Sequence, residues 1–270
     1  MLKKIGLFVV TLLIISFIVF EVFTYSDDTI NAVLTEPPAN GVKSSDYLTK
    51  SENNGNEILE YPLKTTLGLK TSGLILSEGK AQGDEGVFIK KQNSGDSIFT
   101  NIENTLVTFE ESDFHNGIIE VDLKAIVSPN TSRLNKMVSR GFVGIAFRSS
   151  ENNESFECFY LRPENGITQD KERINHAVQY ISVPDWDFER LREESPELYE
   201  NAAKIAPDTW HKIRIEVKGK VAKLFIDAGK EPVLSVDNLK LGAENQGKIG
   251  LWVGIGTNAF FKNLKITKIN

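Results

Sequence analysis

The sequence predicts an all-β protein, a β-sandwich of two antiparallel sheets with a short helical insertion. From about residue 58 onward, apolar runs of strand length alternate with clusters of Gly, Asn, Asp and Ser, which is typical of strands joined by turns. Some runs, such as residues 210–217, alternate strictly between apolar and polar side chains. About a dozen such runs with little helical periodicity favour two sheets that each bury one face against the other.

The N-terminus carries a targeting segment over residues 1–26. Lys3 and Lys4 precede a nearly unbroken apolar run, residues 5–20. This run is long for the apolar region of a signal peptide, yet short of the roughly 20 residues that span a membrane comfortably. A cleaved signal peptide and a membrane tether through residues 5–23 therefore both stay open. Both alternatives predict an extracytoplasmic domain, because the lysine pair stays on the inner side.

Residues 27–57 are predicted to form a flexible tether. They are rich in Pro, Ser, Asn, Gly and acidic residues and contain few large apolar groups around which to fold. The β-sandwich domain is accordingly predicted over residues 58–270. The chain would then consist of a targeting segment, a tether and one folded domain.

Candidate strands follow in order along this domain. In the first half they are 74–76, 87–89, 98–99, 106–109 and 114–125. In the second half they are 141–148, 156–162, 210–217, 221–227, 233–236, 248–254 and 259–267. Residues 210–217 and 221–227 read as a hairpin, since only Lys218-Gly-Lys220 separates them.

The helical insertion is predicted between residues 188 and 207. Ser195 followed by Pro196 and an acidic residue fits an N-cap with proline at the first helical position. Pro207 would end this helix. Residues 188–194 are expected to add a turn or two upstream.

Composition excludes several classes of function. The net charge of −6 and the pI near 5.3 argue against nucleic-acid binding, which needs a basic surface. Cys158 is the only cysteine, so the chain forms no internal disulfide and has no cysteine-based metal framework. No cofactor and no catalytic metal are predicted. A structural calcium ion stays open, because loop oxygens such as those of Asp84 or Asp227 could bind one, although no spaced carboxylate loop is present.

The candidate site lies in residues 141–194. Alternation along the first strand of this stretch directs Val143, Ile145 and Phe147 inward. The opposite face is small near its middle and then presents polar and aromatic groups, namely Arg148, Tyr160 and Arg162. Small residues leave space, while guanidinium groups and rings offer bidentate hydrogen bonds and stacking. The alternative is a solvated sheet face with incidental charges.

The segment 173–186 follows, and it is too polar for a core and too rich in rings and guanidinium groups for an idle loop. Its candidate ligand-binding residues are Arg173, Gln179, Tyr180 and Trp186. His176, and Glu193 beyond the segment, are the candidate proton carriers of an enzyme. The alternative for the acidic run around Glu193 is a solvated helix face with local ion pairs.

The C-terminal strands carry a family resemblance. Residues 210–227, 232–234, 247–254 and 259–264 resemble the final strands of concanavalin A-like lectin/glucanase sandwiches, a jelly-roll fold. More narrowly, the sequence is similar to bacterial laminin G-like domains and to the 3-keto-disaccharide hydrolase group. The resemblance covers about 67–270 in organisation and is specific from about residue 141. It implies a concave sheet that meets carbohydrate, with Arg148, Tyr160, Arg162 and Gln179 on or beside it.

One departure from the glycosidases of this fold shapes the functional hypotheses. Their retaining members carry Glu-x-Asp-x-x-Glu on one strand, whereas Glu120-Val-Asp122 is followed by Ala125 where the second glutamate belongs. Glu120 and Asp122 are therefore predicted to form an outward strand face. Carbohydrate binding is the first hypothesis, because no complete carboxylate pair is visible. A glycoside-cleaving enzyme is the alternative, and a protein-binding adhesive module is the second alternative.

Overall fold

The computed structural model describes residues 47–71, 73–91, 106–127 and 139–269, all of which belong to the unit 32–270. Within these ranges the chain forms sixteen strands and three short helices. The predicted targeting segment 1–26 and the candidate strand 98–99 lie outside the described residues. No helix in the described part of the chain is long and apolar enough to cross a membrane.

The larger sheet has nine strands among the described residues. Its main order is β1-β2-β16-β7-β12-β13-β14, and β5 pairs with both β16 and β4. The strands are β1 (Thr49–Asn53), β2 (Asn56–Tyr61), β4 (Leu74–Ala81), β5 (Asp84–Lys91), β7 (Gly117–Val127), β12 (His211–Lys218), β13 (Val221–Ile226), β14 (Leu234–Val236) and β16 (Thr257–Lys268). The predicted hairpin is confirmed, with β12 and β13 joined at Gly219, whose φ of 56° suits glycine.

The smaller sheet has seven strands in the described part of the chain, in the order β11-β10-β9-β8-β15-β6-β3. The strands are β3 (Leu69–Thr71), β6 (Leu106–Phe109), β8 (Val143–Ser149), β9 (Phe156–Leu161), β10 (Val178–Val183), β11 (Glu200–Asn201) and β15 (Lys248–Val253). All described pairings in both sheets are antiparallel. The predicted jelly-roll sandwich of two antiparallel sheets is confirmed.

The core lies between the two sheets. On the smaller sheet, Val143, Ile145 and Phe147 are buried, as alternation predicted, and they share their face with Phe159 and Leu161. On the larger sheet, Ile213, Ile215 and Val217 of β12 share one face and are buried. We call the core-facing side of the smaller sheet its inner face and the opposite side its outer face.

The first strands begin inside the segment predicted as a tether. β1 pairs with β2 in a hairpin, and β2 pairs with β16, so residues 49–57 are part of the larger sheet. Leu59 and Tyr61 of β2 supply buried side chains that fix this hairpin on the sandwich. Within the described part of the chain, the sheet thus begins at residue 49, inside the predicted tether.

The helical insertion is short and starts earlier than predicted. It contains α1 (Pro163–Gly166), α2 (Lys171–Ile174) and α3 (Phe188–Glu194). Asp187 caps α3, because its side chain accepts a hydrogen bond from the backbone N–H of Arg190. The helix predicted from Ser195 is wrong. Ser195 instead ends α3, a turn follows, and the chain enters β11 at Glu200.

Candidate functional site

Five residues form a row across the outer face of the smaller sheet. Direct cross-strand pairing aligns Trp252, Gly144, Tyr160, Gln179 and Glu200 on β15, β8, β9, β10 and β11. Directly paired residues point to the same side of a sheet. Gly144 has to be small here, since a Cβ would lie 2.2 Å from the backbone oxygen of Phe159. The rings of Tyr160 and Trp252 therefore approach across it, with centroids 4.8 Å apart.

Glu200 ends this row, and three cationic or basic side chains converge on it. Arg192 donates from Nε and Nη2 to its two carboxylate oxygens, at 2.8 and 2.7 Å. His176 Nδ1 lies 2.7 Å from Oε2, and Arg162 Nη1 lies 3.7 Å from the same oxygen. We call these four residues the Glu200 cluster. Different elements supply them: α3, the segment before β10, the end of β9 and β11.

Arg162 ties the cluster to the row. Its Nη2 donates to the hydroxyl of Tyr160 at 2.8 Å, and its Nη1 donates to the carbonyl of His176 at 3.2 Å. The ring of Phe188, at the start of α3, lies 5.5 Å from the Arg162 guanidinium carbon. Helix α3 thus covers this part of the outer face and delivers Arg192 to Glu200.

The cluster holds its carboxylate ionised. Burial raises the pKa of Glu200, but the Arg192 hydrogen bond and the charges of His176 and Arg192 outweigh burial and leave that pKa below its ordinary value. The same hydrogen bond raises the pKa of Arg192. Burial raises the pKa of the Tyr160 phenol. At neutral pH the site therefore presents a fixed carboxylate flanked by guanidinium groups, with a neutral phenol behind them.

An open cleft of about 770 Å³ exposes one side of the cluster. Its polar lining includes His176, Arg192 and Glu200. Two further segments, residues 196–198 and 232–235, also line it. The cleft lies where both sheets end, because β11 is the edge strand of the smaller sheet and β14 that of the larger one. Asn201 links the two edges, donating from Nδ2 to the carbonyl of Val233 at 2.8 Å.

The structure brings together four of the residues predicted for the site. Tyr160 and Gln179 lie in the row, while Arg162 and His176 belong to the Glu200 cluster. Three of them, Tyr160, Gln179 and Arg162, are at most 5 % exposed and do not line the cleft. His176 retains 19 % of its side-chain exposure and lines the cleft. Arg173 stands one step away, because its guanidinium donates to Asn165, which in turn donates to the His176 carbonyl.

Arg148 lies on the inner face, which corrects its predicted place on the outer face. Its φ of 54° and the irregular register between β8 and β15 interrupt the alternation of side chains. The fully buried guanidinium donates to the carbonyls of His115, Gly219 and Gly242 at 2.9 to 3.0 Å. Arg148 therefore joins loops at one end of the sandwich and does not reach the cleft.

Tyr180 is also on the inner face, where it takes part in a buried hydrogen-bond network. Its hydroxyl donates to the carboxylate of Glu157 and accepts from the backbone N–H of Lys240 at 2.8 Å. The Leu241 N–H donates to Glu157 at 2.8 Å. Burial raises the pKa of Glu157, although these hydrogen bonds and the charge of Arg148 oppose the rise. Strand β10 is buried throughout, so the prediction that residues 173–186 are too polar for a core is wrong for 178–183.

Trp186 and Glu193 lie outside the cleft lining. Trp186 is half-buried, with the Arg190 guanidinium carbon and the Lys240 ammonium nitrogen each 3.9 Å from its ring centroid. These cations occupy positions over the ring where a sugar would stack. Glu193 is exposed on α3 and is not brought to His176.

Sequence reasoning missed Glu200, Arg192 and Asn165. Glu200 was hidden because residues 195–204 resemble a helix, in which it would be one more exposed acid. Arg192 stood among the acidic residues of α3 and looked like a partner in a local ion pair. The only sequence signal for β11 is the change from an apolar to a polar side chain at Tyr199-Glu200, which fits a short edge strand beside β10.

The remaining carboxylate predictions concern the larger sheet. Glu120 and Asp122 do form an outward strand face, where Glu120 lies 3.7 Å from Lys212 and Asp122 accepts from Asn263. Asp84 is paired with Lys262 at 2.8 Å, and Asp227 with His211 at 3.2 Å. Among the residues described, no three His, Cys, Asp or Glu side chains are grouped to hold a metal ion.

A family match covers most of this architecture. Residues 76–267, well over half of the chain, match the family described as a 3-keto-alpha-glucoside-1,2-lyase-like domain. The chain belongs to this family. The resemblance to the 3-keto-disaccharide hydrolase group is confirmed. The matched range contains the row, the Glu200 cluster and every segment that lines the cleft.

Solved structures of the same general shape are distant from this member of the 3-keto-alpha-glucoside-1,2-lyase-like family. A carbohydrate binding module from Bacillus subtilis is 12 % identical with a TM-score of 0.49, covering 74 % of this chain and 95 % of that chain. A galectin-like protein of unknown function from Bacillus subtilis is 12 % identical with a TM-score of 0.48, covering 78 % and 96 %. The kappa-carrageenase from Pseudoalteromonas carrageenovora is 13 % identical with a TM-score of 0.37, covering 91 % of each chain. No curated protein matches the chain. At these TM-scores the three structures carry no weight for function.

Proposed function

We propose that this protein recognises carbohydrate in the cleft, with the Glu200 cluster as its polar floor. The observation that supports this most directly is a buried carboxylate held by two arginines and a histidine at the bottom of an open cleft. Sugar hydroxyls both donate and accept hydrogen bonds, so a carboxylate beside guanidinium N–H groups can bind two neighbouring hydroxyls at once. A volume of about 770 Å³ suits a small glycoside.

The family description supplies the probe for this proposal. It names a 3-keto-alpha-glucoside, and the 3-keto derivative of methyl α-glucoside is the simplest molecule of that kind. Titration calorimetry of the full chain with this glycoside should give saturable binding. Glu200→Gln keeps the size of the side chain but removes its charge, and should weaken binding about tenfold or more, in line with a charged hydrogen bond.

Glu194→Gln is the matched control. Glu194 is exposed on α3 and pairs only with Arg190, four residues earlier on the same helix, among the contacts described. The proposal predicts an unchanged affinity for that variant. Equal loss in both variants would contradict a specific role for Glu200. Absence of binding to any sugar, together with a protein partner retained by the chain, would instead favour the adhesive-module alternative.

A specific contact favours an enzyme as the second candidate. Oε2 of Glu200 lies 2.7 Å from Nδ1 of His176, and the negative charge of this carboxylate favours the ring proton on Nδ1, so that Nε2 is the nitrogen for a ligand in the cleft. In a 3-keto glycoside the C2 proton is acidic, because the adjacent carbonyl stabilises the carbanion. His176 Nε2 would take that proton while the C1–O bond breaks, which forms the C1–C2 double bond and releases the aglycone, with a proton from water.

The two candidates differ in turnover. Mass spectrometry of the full chain incubated with the same glycoside would show methanol release and an unsaturated 3-keto sugar if the protein eliminates. His176→Gln should then abolish product while binding persists. Glu193→Gln should retain full turnover, because Glu193 does not line the cleft. Loss of turnover in Glu193→Gln alone would overturn the assignment of His176 as the base. If the glycoside is recovered unaltered, the protein binds the sugar without cleaving it.

An extracytoplasmic location completes the proposal. It is supported by the Lys3-Lys4 pair ahead of the apolar run 5–20. Intact-mass measurement of the chain recovered from cells distinguishes the two alternatives. A mass lacking residues 1–26 indicates a cleaved signal peptide, whereas the full mass in the membrane fraction indicates a tether. The full mass in the cytoplasm would refute both.

A further inference from the structure

The cleft beside the Glu200 cluster is polar on one part of its lining and apolar on another. Its apolar lining comes from Pro196 and Leu198 and from residues 232–234, beside which Glu197 and Ser235 add polar groups. The rest of the polar lining comes from α2, from Asn175 and His176 after it, from α3 and from β11. A ligand that fills the cleft therefore meets both kinds of surface.

Leu198 is the most unusual member of the apolar lining. Its side chain is 56 % exposed, and it is one of four large apolar residues with such exposure among those described. The turn between α3 and β11 holds it there, since Glu197 has a φ of 64° and the Leu198 N–H donates to the Ser195 carbonyl. A single exposed leucine is ordinary on a protein surface. This one lines a cleft together with Pro196, Pro232 and Val233.

The apolar segments offer little that a second sugar ring needs. Pro196 and Pro232 have no backbone N–H, and the side chains of Leu198 and Val233 have no polar atoms. The Val233 carbonyl already accepts from Asn201. Beside these apolar residues only Glu197 and Ser235 supply polar side chains, whereas more of the groups that bind hydroxyls, among them His176, Arg192 and Glu200, lie in the other part of the lining.

We propose that the cleft is built for a glycoside with an apolar aglycone, whose sugar lies against the Glu200 cluster and whose aglycone packs on Leu198, Pro232 and Val233. This inference rests on the proposed function, because it requires that the sugar bind at the Glu200 cluster. It adds a substrate class, since it distinguishes an aryl or alkyl glycoside from a disaccharide. The sugar is oriented with its anomeric carbon towards residues 196–198 and 232–234.

Three 3-keto probes that share one sugar test the inference by calorimetry on the full chain. They are methyl α-glucoside, phenyl α-glucoside and a glucose disaccharide, each in its 3-keto form. Burying part of a phenyl ring against aliphatic side chains should improve affinity about tenfold over the methyl glycoside. The disaccharide should bind more weakly than the phenyl glycoside, because its second ring would lose more hydrogen bonds to water than Glu197 and Ser235 can replace.

Leu198→Asn is the variant, and Ile167→Asn is its matched control. Ile167 has nearly the same exposure, 57 %, but does not line the cleft. The ratio of phenyl to methyl affinity should fall from about ten to about two in Leu198→Asn and stay about ten in Ile167→Asn. Because both side chains are exposed, both variants should fold.

The outcomes separate the inference from the function on which it rests. If methyl and phenyl glycosides bind with equal affinity, the aglycone preference is wrong while sugar recognition stands. If the disaccharide binds more tightly than the phenyl glycoside, the apolar segments accept a sugar and the inference is likewise wrong. If no probe binds, the proposed function fails and the inference fails with it. A phenyl preference that Ile167→Asn removes as effectively as Leu198→Asn also overturns it.

Discussion

Arg192 donates two hydrogen bonds, of 2.8 and 2.7 Å, to the carboxylate of Glu200 and so joins an exposed helix to a two-residue edge strand. The Glu200 side chain is only 5 % exposed, whereas that of Arg192 is 40 % exposed. Removing the arginine would leave a nearly buried carboxylate with fewer donors. The pair therefore contributes to stability as well as to the shape of the site.

Arg192→Ala should lower the free energy of unfolding by about 1–3 kcal/mol, towards the smaller value because solvent reaches the guanidinium. Urea denaturation of the full chain measures this change. Glu194→Ala on the same helix removes only the exposed pair with Arg190, among the contacts described, and should change stability by less than about 0.5 kcal/mol. A similar loss in both variants would show that the helix, and not the Glu200 contact, accounts for the effect.

Glu200 should make the protein sensitive to acid. Its pKa in the folded state is below the ordinary value of 4.5, so the unfolded chain binds the proton more tightly. The stabilisation is fully present above pH 4.5 and is lost as the pH falls through the folded-state pKa. Thermal melts of Glu200→Gln between pH 7 and pH 2 should show a shallower loss of stability on the acid side than the unchanged chain. Parallel curves for the two proteins would contradict this account.

Glu157 should affect the pH dependence of stability in the opposite direction to Glu200. Its pKa in the folded state is raised by burial, so the folded chain holds the proton more tightly than the unfolded one. Its contribution is greatest below pH 4.5 and is lost as the pH rises through the folded-state pKa. The melting temperature of Glu157→Gln should therefore rise relative to that of the unchanged chain as the pH increases above 4.5. Glu151→Gln, at a side chain that is 85 % exposed, should show no such trend.

Arg148 should be intolerant of the apparently conservative change to lysine. Its guanidinium donates to three backbone carbonyls and to Asn116 from a fully buried position. Lysine has three donors on one atom and cannot reproduce this planar arrangement. Arg148→Lys should cost about 2–4 kcal/mol by chemical denaturation. The folded fraction of this variant should still bind 3-keto methyl α-glucoside. A loss of binding without a loss of stability would show that Arg148 belongs to the candidate site after all.

The fold was predictable because strand alternation is local. Ile213, Ile215 and Val217 alternate with polar neighbours, and that pattern alone placed β12 and its turn at Gly219. The alternation failed at Arg148, where a positive φ and a register irregularity direct the side chain to the other face. Nothing in a single sequence marks such a residue, since arginine is not among those that favour this conformation.

The site was only partly predictable because burial depends on partners distant in sequence. Gln179 looked too polar for a core, yet its Nε2 donates to two backbone carbonyls, those of Tyr180 and Tyr199. A polar group that is hydrogen-bonded can be buried at little cost. His176 is predictable because it lies in a segment rich in polar and aromatic residues. Predicting Glu200 requires knowing which strand pairs with β10. Edge strands of two residues are below what sequence periodicity can detect.

Both sheets end at the cleft in very short strands, β11 with two residues and β14 with three. Short edge strands offer few unpaired backbone groups to a neighbouring chain, which disfavours fibre-like association at the cleft. They also let the connections at 195–199 and 227–233 vary in length while the long central strands keep their register. Changes of length at this rim would therefore reshape the cleft, and with it the ligand selectivity proposed above, without a new scaffold.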